Sequence, residues 1–289
     1  MSCETLVIPD DFAQALGGGD VFDRIMHLQG EIFRDVPTRK TLRFQLNGKF
    51  YFAKLHSGVG WREIFKNLLT LRLPVTSAAT EWNAIKRLNA LGIPTTPLIA
   101  YGSRGCSPAS RQSFVITEDL GDIVSLEDFC RDWPSLPPPL SLKRALLRRV
   151  AEISATLHDH GLNHRDYYIC HLCLDKPRLQ IGEIHLYVID LHRMQSRRKT
   201  PTTARMKDMA ALYFSALDIG LTRRDCLRFL KWYRRGRARD ILRDEAGFWK
   251  QVDQRARKLY HKYHDRWPTT PFDRQPEVGH NHSINHDSA

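Results

Sequence analysis

Apolar and polar residues alternate along the first third of the chain, and this pattern predicts a β-sheet. Strands are predicted over 41–46 and 49–55, separated by Asn47-Gly48, a dipeptide typical of two-residue hairpin turns. Two further strands are predicted over 98–101 and 113–117. These segments together favour an antiparallel sheet near the N-terminus.

Helical periodicity predicts two helices in the same part of the chain. One is expected over 61–72 and the other over 77–91, where apolar residues recur at intervals of three before Gly92 ends the helix. Residues 33–40 lack either period, and a loop is expected there.

The pattern changes to mainly helical beyond Glu118. A short helix is predicted over 126–131, a long one from a cap at Ser141 to Leu157, and more helix from Lys207 to about Trp267. Short strands are predicted over 172–174 and 186–189. We therefore predict an α+β fold with two lobes: a β-rich N-lobe over 1–117, a hinge at 118–120, a helical C-lobe over 121–267 and a disordered tail over 268–289.

Four charged residues lie at element boundaries where they can meet in the cleft between the lobes. Lys54 is on a strand, Glu81 begins a helix, Asp166 follows a helix, and Asp190 ends a strand. Each has an ordinary structural role when taken alone, as a surface lysine, a helix-dipole partner or a turn residue. In this order, they are the side chains that phosphoryl transfer requires: an amine for phosphates, its carboxylate partner, a base and a metal ligand.

The segment His164-Arg165-Asp166-Tyr167-Tyr168-Ile169-Cys170-His171 closely resembles the catalytic loop of bacterial lipopolysaccharide core heptose(I) kinases. These enzymes have a protein-kinase-like fold and use ATP to phosphorylate a heptose of the inner core. Further segments resemble the same family; they cover 41–44, 51–56, 81–85, 113–120 and 207–213.

The resemblance implies a role for each candidate residue. Lys54 would hold the ATP phosphates, Glu81 would orient Lys54, Asp166 would be the general base, and Asp190 would bind Mg²⁺. His164 and Arg165 would be structural supports, and Asp208 would brace the catalytic loop. The backbone of the hinge residues would read adenine; they are Glu118, Asp119 and Leu120.

Three departures from the ordinary protein-kinase pattern accompany the resemblance. His171 stands where these enzymes usually have an asparagine metal ligand, and imidazole is a poor ligand for Mg²⁺. His171 is therefore expected to contact the nucleotide phosphates, and the number of metals stays open. Asp190-Leu191-His192 replaces Asp-Phe-Gly. No glycine-rich loop precedes Lys54, and Arg39 with Lys40 either cover the phosphates by charge or form a solvated turn.

Composition narrows the class of protein and its partners. The chain has 289 residues, 42% hydrophobic and 26% charged, which excludes a wholly disordered protein. The net charge of +12 concentrates in the C-terminal helices and favours an acidic partner or a solvated helical face. The family resemblance raises acyl carrier protein as that partner, with an acyl chain inserted into the C-lobe. Its candidate contacts are Arg223, Arg224, Arg228, Lys231, Arg234 and Arg235.

No signal peptide and no apolar run long enough to span a bilayer is found in the sequence, so a cytoplasmic enzyme that visits the inner leaflet is expected. In that compartment the six cysteines are expected to be free thiols, and Cys170-x-x-Cys173 is only a weak zinc signal. Two other functions stay open: a related kinase acting on another sugar or on protein tyrosine, and a basic binding module that has lost catalysis. A nucleic-acid partner is not expected.

Overall fold

The computed structural model describes residues 3–58, 77–107 and 109–273. The residues up to Glu118 contain the large sheet, and those from Gly121 onward are mainly helical, so the predicted two-lobed α+β, protein-kinase-like fold is confirmed. We call these two parts the N-lobe and the C-lobe. The helix predicted over 61–72 lies outside the described residues.

Eleven strands are present among the described residues. They are β1 Glu4–Val7, β2 Glu31–Val36, β3 Arg39–Leu46, β4 Lys49–Ser57, β5 Leu98–Arg104, β6 Gln112–Glu118, β7 Ile123–Ser125, β8 Leu162–Asn163, β9 Leu172–Asp175, β10 Leu186–Val188 and β11 Gln195–Ser196. The first six form one sheet in the order β1-β5-β6-β4-β3-β2, and the others form a three-stranded and a two-stranded sheet in the C-lobe.

The α-helices of the described segments follow. They are α1 Asp10–Ala15, α2 Val21–Met26, α3 Ala79–Ala90, α4 Leu126–Phe129, α5 Leu140–Asp159, α6 Lys176–Gln180, α7 Thr202–Ser215, α8 Arg223–Arg234, α9 Ala238–Asp244 and α10 Ala246–His264. Single 3₁₀ turns occur at Ile169–His171 and Leu191–Arg193.

The predicted hairpin is present as β3 and β4, joined at Asn47-Gly48. Both turn residues have positive φ, 49° and 78°, as a turn that matches the twist of the strands requires. Lys54 lies in the middle of the sheet because it pairs with Thr41 of β3 on one side and Val115 of β6 on the other. The alternate residues of the hairpin enter the apolar core of the N-lobe, which fixes the face on which Lys54 projects.

The prediction of a loop over 33–40 is wrong for most of these residues. Residues 31–36 form β2, which pairs with β3 at the edge of the sheet, and β3 already begins at Arg39. All six residues of β2 are exposed, so the strand has no buried face to produce an alternating pattern. The turn between β2 and β3 therefore joins two strands at the edge of the sheet.

The expectation that all six cysteines are free thiols is also wrong. Cys3 and Cys106 form a disulfide, with their Cα atoms 5.3 Å apart and a sequence separation of 103. The pairing of β1 with β5 brings them together, since Glu4 lies opposite Arg104 and the Gly105 N–H donates to the Cys3 carbonyl. The other four cysteines are free.

Helix α3 links the two lobes. Ala84, Ile85 and Leu88 on its buried face belong to the same apolar cluster as the C-lobe core, and α3 packs against the 3₁₀ turn that follows Asp190. Burial of Ile85 and of Leu88 contributes about 1.5–3 kcal/mol each, so the packing fixes Glu81, in the first turn of α3, relative to Asp190.

Helix α5 is the central helix of the C-lobe, and its start differs from the prediction. It begins at Leu140 after Pro139, so Ser141 lies inside its first turn rather than at the cap. Gly161 follows the helix with φ of 80°, and a Cβ there would stand 1.8 Å from the Arg197 carbonyl oxygen. Only glycine fits this close approach, which joins β8 to β11 just before the segment that carries Asp166.

The first residues of the predicted disordered tail pack on α10. Arg257 donates to Thr270 and Asp273 at 2.5 and 2.6 Å, and Thr270 is buried. Residues 274–289 of that prediction lie outside the described residues. Among the described residues, no helix combines the length and the apolar composition that crossing a bilayer would need.

Candidate active site

Lys54 and Glu81 form a nearly buried ion pair between the sheet and α3. Lys54 Nζ lies 2.6 Å from Glu81 Oε1, and the Glu81 side chain is only 5% exposed. A charge buried this deeply requires a partner, and the pair holds the lysine side chain extended toward the cleft. The sequence predicted this pairing, and the structure brings the two residues together.

Asp190 lies on the opposite side of the same cleft, in the left-handed conformation two residues after the end of β10. Its Oδ1 is 3.7 Å from Lys54 Nζ and accepts a 2.6 Å hydrogen bond from His192 Nδ1, while its Oδ2 is 3.7 Å from His171 Nε2. Burial alone would raise the pKa of Asp190, but His192, Lys54 and His171 together hold that pKa well below its ordinary value. These contacts therefore favour the ionised form of the Asp190 carboxylate.

The loop before Asp166 is held from below by Asp208, near the middle of α7. Asp208 Oδ2 accepts from the His164 N–H at 2.7 Å, and Oδ1 accepts from the Arg165 N–H at 2.9 Å. Arg165 has a positive φ of 75°, which is unfavourable for this residue type, and two charge-assisted hydrogen bonds on successive N–H groups hold it there. The bracing role expected of Asp208 matches these contacts.

His164 supports the loop from within the core. Burial lowers the pKa of His164, and its Nε2 bonds the Ile189 carbonyl at 3.0 Å, so the neutral ring donates to the residue just before Asp190. The ring also stacks on His171, with centroids 5.7 Å apart. His164 thus ties the catalytic loop to the strand that carries Asp190.

Asp166 lies at the mouth of the cleft, with its side chain 16% exposed. Arg193 Nη1 donates to Asp166 Oδ1 at 2.7 Å, and His171 Nδ1 donates to the Asp166 carbonyl at 2.7 Å. Sequence reasoning missed Arg193. The sequence signal that could have identified it is the presence of a basic residue three positions after Asp190, close enough in the chain to reach the same cleft.

Two of the three backbone N–H groups of the hinge, residues 118–120, donate hydrogen bonds within the protein. The Glu118 N–H donates to Pro97 and the Asp119 N–H to Phe50, while Arg43 Nε bonds Asp119 Oδ2 at 2.6 Å. Within the segments that the structure describes, no protein acceptor takes the Leu120 N–H. Of the three predicted adenine-contacting residues, Leu120 is the one with a backbone donor available to a base.

Arg39 enters the cleft from the start of β3, beside the turn that replaces a glycine-rich loop. It is half-buried, and burial and Arg34 lower its pKa, whereas Asp190 and Glu81 raise it. Its neighbour across the hairpin is His56, whose pKa falls to about 4 through burial and the nearby charges of Arg39, Lys54 and His192. Arg39 and Lys40 thus belong to β3 rather than to a turn, and their role in covering phosphates stays a prediction.

The donors near Asp190 suit a hard cation bound mainly by phosphate oxygens. No group of three or more His, Cys, Asp or Glu side chains in the described residues is arranged to hold a metal by itself. Mg²⁺ at nucleotide sites is bound by one or two carboxylates together with phosphates and water, and an ionised Asp190 beside the cleft fits that mode.

A second feature lies in the C-lobe, away from the charged cleft. It is an apolar cavity of about 350 Å³ enclosed by α4, α5, α7, α8 and α10. Its lining is almost wholly apolar; it includes Leu146, Ile169, Met209, Phe229, Trp249 and Phe272. Ile169 lies three residues after Asp166, so the cavity reaches the underside of the catalytic loop. Sequence periodicity placed these residues in helices but gave no sign of a void between them.

The six candidate partner contacts are on α8 and its C-cap. Arg228, Arg234 and Arg235 are paired with Asp225, Glu245 and Asp159 at 3.2, 2.6 and 2.7 Å. Arg223, Arg224 and Lys231 are exposed, and none has a carboxylate partner among the described residues. We call these three residues the α8 basic patch. The buried face of the same helix lines the apolar cavity.

Comparisons with known proteins show which family the chain belongs to. The family model for the "Lipopolysaccharide kinase (Kdo/WaaP) family" matches residues 23–233. The chain is 51% identical over 259 residues to the lipopolysaccharide core heptose(I) kinase WaaP of Pseudomonas aeruginosa, covering 89% of this chain and 96% of that protein. It is 46% identical over 243 residues to the protein of the same name from Escherichia coli K12, covering 84% and 92%.

A solved structure is similar over nearly the same range. It is described as WaaP in complex with acyl carrier protein, and it is 45% identical, with a TM-score of 0.76, covering 89% of this chain and 99% of that one.

Proposed function

Because the chain belongs to the lipopolysaccharide kinase (Kdo/WaaP) family and is a phosphotransferase, we propose that it transfers the γ-phosphoryl group of ATP to a heptose hydroxyl of the lipopolysaccharide inner core. The observation that supports this most is the meeting of Lys54, Glu81 and Asp190 in one cleft, with Asp166 at its mouth. Phosphoryl transfer depends on such positioning and on neutralising charge.

Lys54 binds the α- and β-phosphates in this proposal. Its ammonium group is held by Glu81 at 2.6 Å and lies 3.7 Å from Asp190, so it already faces the position of the phosphates. Arg39 contributes a second cation from the start of β3. The N–H of Leu120 and the neighbouring hinge backbone, from Glu118 to Asp119, contact adenine.

Asp166 accepts the proton of the attacking hydroxyl. Its Oδ1 is occupied by Arg193, which leaves Oδ2 for the acceptor, and Asp208 fixes the loop that carries it. The hydroxyl oxygen then forms the new P–O bond as the bond to the β-phosphate oxygen breaks, and ADP leaves. No covalent enzyme intermediate is needed.

Asp190 would hold Mg²⁺, which would neutralise charge on the β- and γ-phosphates. The carboxylate stays ionised because His192, Lys54 and His171 surround it. His171 Nδ1 donates to the Asp166 carbonyl, so its Nε2 points toward Asp190 and the phosphates. Phosphate oxygens only accept hydrogen bonds, so His171 can bind them through Nε2 when both ring nitrogens carry protons. With the proton on Nδ1 alone, Nε2 presents a lone pair toward the Asp190 site, and the number of metals stays open.

Acyl carrier protein is the partner we propose for the C-lobe. A solved relative is in complex with that protein, and here the α8 basic patch lies on the outer side of a helix whose inner face lines the apolar cavity. An acidic carrier can bind the patch while its acyl chain enters the cavity, whose size falls within the range of small-molecule sites. We also propose that the enzyme works at the cytosolic face of the inner membrane, where its lipid-linked acceptor would lie.

Testing the acceptor separates the heptose kinase from the other functions. We expect ATP-dependent phosphorylation of dephosphorylated core lipopolysaccharide and of a heptoside fragment, detected by mass spectrometry, at rates well above those with a tyrosine peptide or another sugar. Faster transfer to the peptide or to the other sugar would replace the proposed acceptor. No transfer to any acceptor, together with strongly salt-dependent binding to RNA, would favour the basic binding module instead.

Reversing the charge of the α8 basic patch tests the proposed partner. The variant Arg224→Glu/Lys231→Glu is expected to weaken binding of acylated carrier protein at least about tenfold. Each substitution replaces a positive charge that attracts the acidic carrier with a negative charge that repels it. The exposed N-lobe pair Lys86→Glu/Arg87→Glu changes the net charge by the same amount and should bind normally. Calorimetry measures both, and equal affinity of the two variants would contradict the docking face.

Acylation provides a second readout for the cavity. We expect the acylated carrier to bind more tightly than the carrier without its acyl chain, because the chain transfers apolar surface from water into the cavity. Equal affinity of the two forms would show that the cavity takes no part in binding.

A further inference from the structure

Arg193 makes an unusual contact for a residue beside a catalytic base. Its Nη1 lies 2.7 Å from Asp166 Oδ1, whereas the rest of the guanidinium faces outward, with the side chain 41% exposed. A guanidinium has five N–H donors, and in the described part of the chain only this one bond to another residue is formed. The other donors are available on the acceptor side of Asp166.

The contact is not needed to hold the catalytic loop. Asp208 already fixes the backbone of His164 and Arg165, and His171 Nδ1 bonds the Asp166 carbonyl. A half-exposed ion pair contributes little to stability, about 0–1 kcal/mol. The placement of Arg193 therefore calls for a reason beyond folding.

Positive charge gathers around the same point. Arg165 directly precedes Asp166, which Arg193 contacts, and Arg197 contacts Asn163, two residues before Arg165. Burial and the charges of Arg193 and Arg197 lower the pKa of Arg165, whereas Asp166 and Asp208 raise it. Arg197 is anchored by Asn163 Oδ1 at 2.7 Å and Gln195 Oε1 at 2.6 Å, both neutral oxygens. Among the described residues, Asp166 is the one carboxylate that forms an ion pair with any of the three.

A surplus of cations here also limits what the acceptor can be. Three guanidinium groups lie near two carboxylates, Asp166 and Asp208, so one positive charge is in excess unless an anion joins them. Arginine favours planar oxyanions such as carboxylate and phosphate. A neutral sugar alone would leave the surplus charge uncompensated.

We propose that Arg193 is an acceptor-binding residue that holds Asp166 with one N–H and, together with Arg165, binds an anionic group of the acceptor beside the hydroxyl that is phosphorylated. This inference rests on the proposed heptose kinase activity and adds that the acceptor site requires an acidic neighbour, either a carboxylated sugar or a phosphate. The shared oxyanion chemistry fits both sources. Arg193 sets acceptor preference because the same guanidinium contacts the base and the anion.

The experiment compares three synthetic heptosides that present the same hydroxyl. One is neutral, one is linked to a carboxylated sugar, and one carries a phosphate monoester next to the heptose. For the wild type we expect kcat/KM for at least one anionic acceptor to exceed that for the neutral acceptor about tenfold or more, as charge-assisted hydrogen bonds allow. The favoured acceptor identifies carboxylate or phosphate as the natural group.

Arg193→Gln is expected to reduce this preference to less than about threefold, mainly through a higher KM for the anionic acceptor. Arg193→Lys keeps the charge without the planar fork, so an intermediate preference is expected. Arg178→Gln removes an exposed arginine on α6 that pairs with Asp175, and it should keep the wild-type preference. For each variant, kcat/KM for an anionic acceptor is divided by kcat/KM for the neutral acceptor. This ratio cancels losses of activity that come from folding or from a disturbed Asp166.

The outcomes separate this inference from the activity on which it rests. If the wild type phosphorylates all three heptosides equally, or if Arg193→Gln keeps the full preference, the anion-binding role is wrong while the heptose kinase stands. If the wild type phosphorylates none of them, both fall. A preference that disappears in Arg193→Gln and partly returns in Arg193→Lys supports the inference.

Discussion

Replacing Asp166 by asparagine is expected to lower kcat for heptose phosphorylation about 10²- to 10⁴-fold, the range that a general base contributes. An amide of the same shape can still accept the Arg193 hydrogen bond, but it cannot take a proton from the attacking hydroxyl. The loop is held through Asp208 and His171, so the fold should be preserved. The loss should therefore fall on kcat rather than on nucleotide binding.

The measurement combines steady-state kinetics with nucleotide affinity and thermal unfolding. Asp11→Asn is the matched control, since it makes the same chemical change at an exposed residue of α1 that contacts none of the cleft residues. We expect Asp11→Asn to keep the wild-type rate. An Asp166→Asn enzyme that turns over as fast as the control would remove Asp166 from the reaction.

The elements that the sequence predicted well are those whose signals are local. The β3–β4 hairpin follows from alternating residues around Asn47-Gly48, and α3 follows from apolar residues at helical spacing. Lys54, Glu81 and Asp190 could be named as candidates because each lies at a recognisable position on such an element. Their meeting within 3.7 Å depends on the fold, and the family resemblance supplied that step.

What the sequence did not reveal depends on contacts between distant segments. Strand β2 is an exposed edge strand, so no periodic pattern marks it. The Cys3–Cys106 disulfide depends on the pairing of β1 with β5 across 103 residues. Arg193 is distinguished only by the direction in which the chain turns after Asp190. The C-lobe cavity arises from the packing of several helices. The sequence pattern of apolar residues is the same whether their side chains fill a core or line a cavity.

Asp190 gives the prediction that tests the proposed metal. Replacing it by asparagine should lower kcat at least about 10²-fold, because an ionised oxygen ligand beside the phosphates is lost and charge stabilisation in the transition state is worth several kcal/mol. His192, Lys54 and His171 keep the native pKa of Asp190 well below its ordinary value, so protonation cannot account for the difference between the two enzymes at neutral pH.

Magnesium titration supplies the specific readout. We expect Asp190→Asn to require a several-fold higher Mg²⁺ concentration for half-maximal activity, whereas Asp166→Asn should show the wild-type requirement despite its low kcat. Removing a base and removing a metal ligand therefore leave different signatures in the same assay. An Asp190→Asn enzyme with an unchanged magnesium dependence would show that another group holds the ion. The role of metal ligand would then have to be assigned to a different residue of the cleft.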